Sequence, residues 1–373
     1  MPRLLLLLSL LGLGLPAPAA TPVTLDQLRE FLAAPSTRKL TDAQIADRLS
    51  SVELIEQVTV PALAHLLAGL RVGPETAEQL QLLAAASIFA DPPTSDELGL
   101  PPPNPAAQQQ MLRSATDYVR TTLHHLPDFL ADRVTTCYDS VPRESDRNQE
   151  KIIPRLRWVR HYQREITFRN GTELAASAAS DSPDPARGFS TWGEFGPILD
   201  IVLGDSFSGA VTWKRWERSN TGVQIAVFHY AVPQSASHYL IDFCCYKPSE
   251  SSGWMQFRER PAYHGDLYID PQTGLVERIT LQADLNEGDP VSANRFVVQY
   301  GRVEIAGKNY VCPLSGIAIA VIDPMPMQST DREPLERYLN EVTFSNYHKF
   351  GSTAQIVASP QAENRTLGKT SYR

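Results

Sequence analysis

Positive charge is in short supply in this chain. Against 34 Lys and Arg stand 42 Asp and Glu, a formal net charge of −8 over 373 residues. Nucleic-acid binding depends on clustered cations that displace counterions from phosphates, so no nucleic-acid partner is expected. The same balance offers nothing to anionic lipid headgroups. Cysteine is scarce too. Cys137, Cys244, Cys245 and Cys312 are the whole set, with no CxxC or His spacing of the kind that builds a metal site. Long apolar runs are confined to the extreme N-terminus, and a helical membrane span needs roughly 18 or more such residues. An integral membrane protein is therefore not expected. No fixed internal period recurs, which argues against a helical-repeat array.

What is present begins with Met1-Pro2-Arg3, an apolar run from Leu4 to Leu15, and Pro16-Ala17-Pro18-Ala19-Ala20. A short basic region, an apolar stretch and an Ala17-x-Ala19 site make a cleavable signal peptide. Residues 1–19 are read as that signal, which places the mature chain in the periplasm or outside the cell. No Cys follows the site, so an acylated N-terminus is not expected. The 29 prolines exceed the usual share of about 5%, and several gather in a linker.

From Thr24 the apolar residues fall at helical spacing. Thr24-Leu25-Asp26-Gln27 and Thr41-Asp42-Ala43-Gln44 are capping boxes, each opening a helix. A third helix starts near Pro61, and a fourth runs from about Glu75 to Ala90 after Gly73-Pro74. After Pro127 the texture changes to alternation. Asn170-Gly171, Ser219 to Gly222 and Asp270-Pro271-Gln272-Thr273-Gly274 are hairpin turns between alternating segments. Ala210 to Glu217, Val223 to Val232, His238 to Tyr246, Leu275 to Asp284, Phe296 to Ile305, Tyr310 to Leu314, Ile317 to Ile322 and Val342 to Phe350 read as strands. One helix, Glu194 to about Gly204, interrupts them.

These patterns predict an α+β protein. An N-terminal all-helical domain covers 20–90, a Pro-rich linker 91–105 and a connecting helix 106–126. A curved antiparallel β-sheet, a half-barrel with helical cover, fills 127–350. A flexible C-terminal tail, 351–373, ends the chain.

In an oxidising compartment four cysteines allow three pairings. Adjacent Cys244 and Cys245 rarely bond to each other because the geometry is strained, and on a strand their side chains diverge. The candidate bridge is Cys245 to Cys312. Cys137 is an alternative partner, and buried free thiols are the other reading.

The strongest catalytic string is Gly204-Asp205-Ser206-Phe207-Ser208, which resembles the nucleophile block of the GDSL-type (SGNH) hydrolases. That chemistry needs an Asp-x-x-His for its base. No histidine here has Asp three residues before it, so Ser206 is carried only as a distant serine-hydrolase alternative. Glu165, Glu173, Glu194 and Asp266 are scattered carboxylates of the sort any antiparallel protein offers. No cofactor or metal is expected. The aromatic residues are denser, and most such clusters are core packing. An apolar ligand cavity is the other use of such a surface, and its candidate lining is Phe195, Ile198, Leu199, Trp213, Phe228, Tyr239, Phe243, Ile279 and Leu281.

Leu126-Pro127-Asp128-Phe129, Phe195-Gly196-Pro197-Ile198-Leu199, Tyr263 to Pro271 and Val298-Gln299-Tyr300-Gly301 are together similar to a family of exported bacterial proteins with no assigned activity. The string from Gly265 through Pro271 and Gly274 to Arg278 resembles the lipoprotein-carrier β-domain of the LolA, LolB and RseB type. That resemblance implies an incomplete barrel, closed by helices, that cups acyl chains or senses a lipid or protein signal. It brings no catalytic residues. The expected function is an exported binding protein holding a lipid, acyl chain or other apolar ligand. The alternative is a protein–protein interaction or envelope-sensing module whose core is filled by its own side chains.

Overall fold

The computed structural model describes residues 20–69, 72–93, 98–124, 126–143, 155–170, 172–174, 197–206, 209–219, 222–248, 253–323 and 335–349. The predicted signal peptide, the C-terminal tail and Phe195 lie outside the described residues.

Two capping boxes start the first helices. Thr24 Oγ1 accepts from the Gln27 amide at 3.2 Å, and Gln27 Oε1 accepts from the Thr24 amide at 2.9 Å, opening α1 (Leu25–Ala33). Thr41 and Gln44 do the same at 3.3 and 3.0 Å for α2 (Asp42–Leu49). α3 (Val60–Gly69) and α4 (Pro74–Ala86) follow. The Asp42 carboxylate reaches across to the start of α4, accepting from the Glu75 and Thr76 amides at 2.9 and 3.1 Å. Leu28, Leu32, Leu49, Leu66 and Leu80 bury together among these helices.

The all-helical N-terminal domain requires correction. β1 (Thr21–Val23) pairs in parallel with β2 (Val52–Leu54), so a strand ribbon threads through the helices. The described residues are mostly β, 47% strand against 27% helix. The helical segment is also tied to the strands that follow. Arg337 Nη1 donates to the Ser50 carbonyl at 3.2 Å, Gln79 Nε2 donates to the Leu156 carbonyl at 2.8 Å, and Arg295 pairs with Glu53 at 3.0 Å. Helical period in a sequence reports an amphipathic face, not whether that face belongs to a separate body.

The half-barrel is replaced by one open antiparallel sheet of ten strands. It is built from β3 (Phe129–Asp139), β4 (Arg157–Arg169), β5 (Thr172–Leu174), β6 (Ala210–Arg218), β7 (Gln224–Val232), β10 (Ala262–Ile269), β11 (Val276–Asp284), β12 (Val291–Ile305), β13 (Lys308–Ile322) and β14 (Glu336–Lys349). Their order is β5-β4-β3-β14-β13-β12-β11-β10-β7-β6. β14 returns to lie beside β3, from Asp139 opposite Tyr338 to Phe129 opposite Lys349. Between β7 and β10 a separate hairpin, β8 (Ile241–Tyr246) and β9 (Met255–Glu259), leaves the sheet. The two segments around Pro313 are one strand, β13. Proline interrupts strand pattern, and here it sits where the register with β12 slips at Gln299 and Tyr300.

α5 (Pro105–His124) and α6 (Pro197–Ser206) pack on one face of the sheet. Ala115 and Val119 of α5 and Ile198, Leu199, Val202 and Leu203 of α6 close over Phe228, Tyr230, Tyr263, Leu267, Ile279 and Leu281. The opposite face receives the helical segment. The linker passes around edge strand β6, where Trp216 Nε1 donates to the Pro101 carbonyl at 3.0 Å. No helix among the described residues is long and apolar enough to cross a membrane.

Gly274 couples the β10–β11 turn to α5. Its φ is +75°, and a Cβ there would lie 2.6 Å from the Ser114 carbonyl carbon in the α5 backbone. Gly274→Ala should therefore lose at least about 2 kcal/mol of unfolding free energy, since the left-handed conformation alone costs roughly 1–2 kcal/mol and the helix must also move. Urea denaturation monitored by tryptophan fluorescence measures it. An unchanged midpoint would contradict this packing.

Candidate functional site

Strand alternation sends one set of side chains into the α5–α6 core and the other to the opposite face. On β10, Tyr263 and Leu267 go to the core while His264, Asp266 and Tyr268 go outward. There the polar residues form a connected strip across β6, β7, β10 and β11. Asp266, only 7% exposed, sits at its centre. Its Oδ2 accepts from Lys214 Nζ at 2.8 Å, and its Oδ1 pairs with His229 Nδ1 at 3.0 Å. Its amide donates to Thr280 Oγ1 at 2.9 Å. His264 stands beside His229, ring centroids 5.9 Å apart, and pairs its own Nδ1 with Asp284 Oδ1 at 2.8 Å. A carboxylate only accepts, so both rings donate through Nδ1–H and keep Nε2 free.

The start of the linker closes one end of the strip. Asp91 takes Lys214 Nζ at 2.5 Å and Arg215 Nη1 at 2.8 Å. Arg215 also pairs with Glu217 at 2.8 Å, and Glu217 with Arg278 at 2.6 Å. The Arg278 guanidinium lies 3.6 Å from the centre of the Tyr268 ring. Burial works to lower the Lys214 ammonium, but its hydrogen bonds to Asp266 and Asp91 outweigh it and raise its pKa. Burial likewise works to raise the Asp91 carboxyl, and the Lys214 and Arg215 partners bring it below its ordinary value. Folding stability from Asp91 is thus present above the ordinary carboxylate range and lost as pH falls through its lowered pKa.

Chemically, the strip offers two imidazole–carboxylate dyads and an ammonium. Among the described residues neither imidazole has a hydroxyl or thiol nucleophile hydrogen-bonded to it, and no group of three or more His, Cys, Asp or Glu is placed to hold a metal. Of the scattered carboxylates, Asp266 belongs to this strip and Glu194 lies outside the described residues. Glu173 lies on β5, at the far edge of the sheet.

The predicted cavity residues go elsewhere. Ile198, Leu199, Phe228, Ile279 and Leu281 are all buried in the α5–α6 core, with Trp213 and Tyr239 packed against it. Tyr239 anchors its hydroxyl on Asn294 Oδ1 at 2.6 Å. Phe243 belongs to a different cluster, with Ile241, Phe257 and Val291 at the base of the β8–β9 hairpin. Two recesses that do open are lined by other side chains. One lies around Asp200, Asp205, Pro233 and His238. The other, about 180 Å³, lies between Leu49, Leu54 and Leu82 of the helical segment and Ile319, Val321, Arg337 and Leu339 of the sheet.

The cysteines of the candidate Cys245–Cys312 bridge lie on separate elements. Cys244 and Cys245 are bonded to each other across a cis peptide bond, on β8 and outside the ten-stranded sheet. Cys312 lies on β13 and is free and buried, as is Cys137 on β3. Burial pushes the Cys312 thiol up to about 12, which keeps it protonated and unreactive. Ser206 is buried and its hydroxyl donates to the Val202 carbonyl one helical turn back. The neighbouring Asp205 accepts from His238 and from the Tyr263 hydroxyl at 2.8 Å. The hydroxyl in the Gly-Asp-Ser string is thus spent on its own helix, and the carboxylate fastens the loop after β7.

No protein-family model, no curated protein and no solved structure matches this chain. Fold and site together define a class only: an open antiparallel sheet, packed by helices on both faces, with a polar strip on the face turned away from α5 and α6.

Proposed function

We propose that this protein is an exported interaction module, a solid scaffold that engages a protein partner and holds no small organic ligand in its β-core. The observation that carries this reading is the α5–α6 core. The side chains that would line an acyl cavity are packed against one another there, with Phe228 at 1% exposure and Ile279 and Leu281 at 0%. A surface suited to a partner exists at the end of the β8–β9 hairpin. Trp254 is 67% and Met255 49% exposed, two consecutive apolar side chains that a partner can cover.

A second reading, a carrier of an apolar ligand with an acidic head, is favoured by the recess of about 180 Å³. That volume is about six waters' worth, with leucines along it and Arg337 at its side. Burial lowers the Arg337 pKa, with only Glu53 acting against it.

One experiment separates them. The protein is purified from a secreting host, weighed by native mass spectrometry and extracted with organic solvent. In parallel, a photoreactive side chain replaces Trp254 in the producing cell. We expect the bare chain mass and a discrete protein adduct from position 254. A near-stoichiometric acyl species with no protein adduct would overturn the first reading in favour of the second.

A further inference from the structure

We propose that His229 and His264 together bind one divalent transition-metal ion on the exposed part of the polar strip, with Cu(II) held more tightly than Zn(II). Distance is the first ground. The ring centroids are 5.9 Å apart, a separation that one ion spans when the two Nε2 atoms turn toward each other, since it takes each imidazole nitrogen at about 2.0–2.1 Å. Orientation is the second. Each ring commits Nδ1 to its own carboxylate, His229 to Asp266 at 3.0 Å and His264 to Asp284 at 2.8 Å. That arrangement leaves Nε2 as the coordinating atom, fixes the tautomer and raises the basicity of the ligand. Access is the third, since the two side chains are 39% and 36% exposed.

Charge fits as well. Asp266 and Asp284 lie behind the two rings and offset the ion, while the Lys214 ammonium is already held between Asp266 and Asp91. The choice of metal follows from the ligand count. A structural zinc site takes four protein ligands. Two imidazoles completed by water make a mixed N,O set, which suits tetragonal Cu(II), and Cu(II) is the strongest binder in the divalent series. His229 and His264 are diagonal neighbours on adjacent strands, since His229 faces Asp266 and His264 faces Ala231. No sequence spacing announces such a pair.

The test uses the untagged full chain and Cu(II) alone, by isothermal titration and by electron paramagnetic resonance of the one-to-one complex. Hyperfine structure from two nitrogens is expected. His229→Gln and His264→Gln should each weaken binding by about tenfold or more, and Asp284→Asn by about 10–100-fold, through the loss of ligand orientation. Zn(II) should bind more weakly than Cu(II) at the same site. Should His229→Gln fail to fold, His264→Gln and Asp284→Asn, whose side chains are 36% and 51% exposed, still decide the matter. Unchanged Cu(II) affinity in His264→Gln, or dependence on only one of the two histidines, would overturn the proposal.

Discussion

Phe228→Ala should cost about 3–5 kcal/mol of unfolding free energy, the range for emptying a phenylalanine site in a packed core. Phe228 is 1% exposed, and its ring meets Trp213 edge-on at 5.4 Å between centroids. Tyr230, Leu267 and Ile279 share its cluster, and the helix pair closes over them. A ring that lined a ligand cavity would have fewer protein neighbours and a smaller cost, and its truncation would alter ligand capacity instead. Chemical denaturation of the variant distinguishes the two. A loss near 1 kcal/mol would mean that the core is not solid where α5 and α6 meet the sheet, and would revive the acyl-carrier reading.

Asp266→Ala should be the second largest single effect, about 2–3 kcal/mol. Removing one member of a buried ion pair typically costs about 3–5 kcal/mol because the other charge is left unpaired. Lys214 keeps Asp91, which brings the cost down. The pH dependence has a defined sign. The Lys214 pKa is raised in the folded state, so its contribution is fully present at neutral pH and is lost as pH rises past the ordinary lysine range and through the raised value. The wild type should therefore destabilise steeply at strongly alkaline pH, and Asp266→Ala should show a shallower fall over the same window. Parallel alkaline profiles would show that the Lys214–Asp266 pair contributes nothing.

Local chemistry was legible wherever neighbours in sequence are also neighbours in space. Thr24 with Gln27, and Thr41 with Gln44, are three residues apart and find each other in any helix start. Asp270 to Gly274 is a turn because Gly274 can take a φ of +75° and the Asp270 carboxylate can accept from the Gln272 amide. Alternation in β11 sets Ile279 and Leu281 against Arg278 and Thr280, and the first two lie in the α5–α6 core.

What alternation does not carry is the identity of whatever covers each face. The apolar face of this sheet reads the same whether helices fill it or a ligand does, and only the placement of α5 and α6 decided that they fill it. The helical segment reads as a domain because its leucines recur at helical spacing. Its ties from Ser50 to Arg337 and from Glu53 to Arg295, and the linker's from Asp91 to Lys214, join residues far apart in the chain, and no spacing encodes them. The cysteines show the same limit. Which sulfur meets which depends on strand placement, and β8 lies outside the ten-stranded sheet that holds Cys312.

The sequence by itself determined the helix starts, the hairpin turns and the two-sided character of the strands, because each is set by chemistry within a few residues. Tertiary structure alone decided that the sheet is open and ten strands wide, that its apolar face is packed solid, and that His229, His264, Asp266 and Lys214 share one strip. Those outcomes depend on strand order and register, which join residues far apart in the chain through backbone pairing that any side chain can accept.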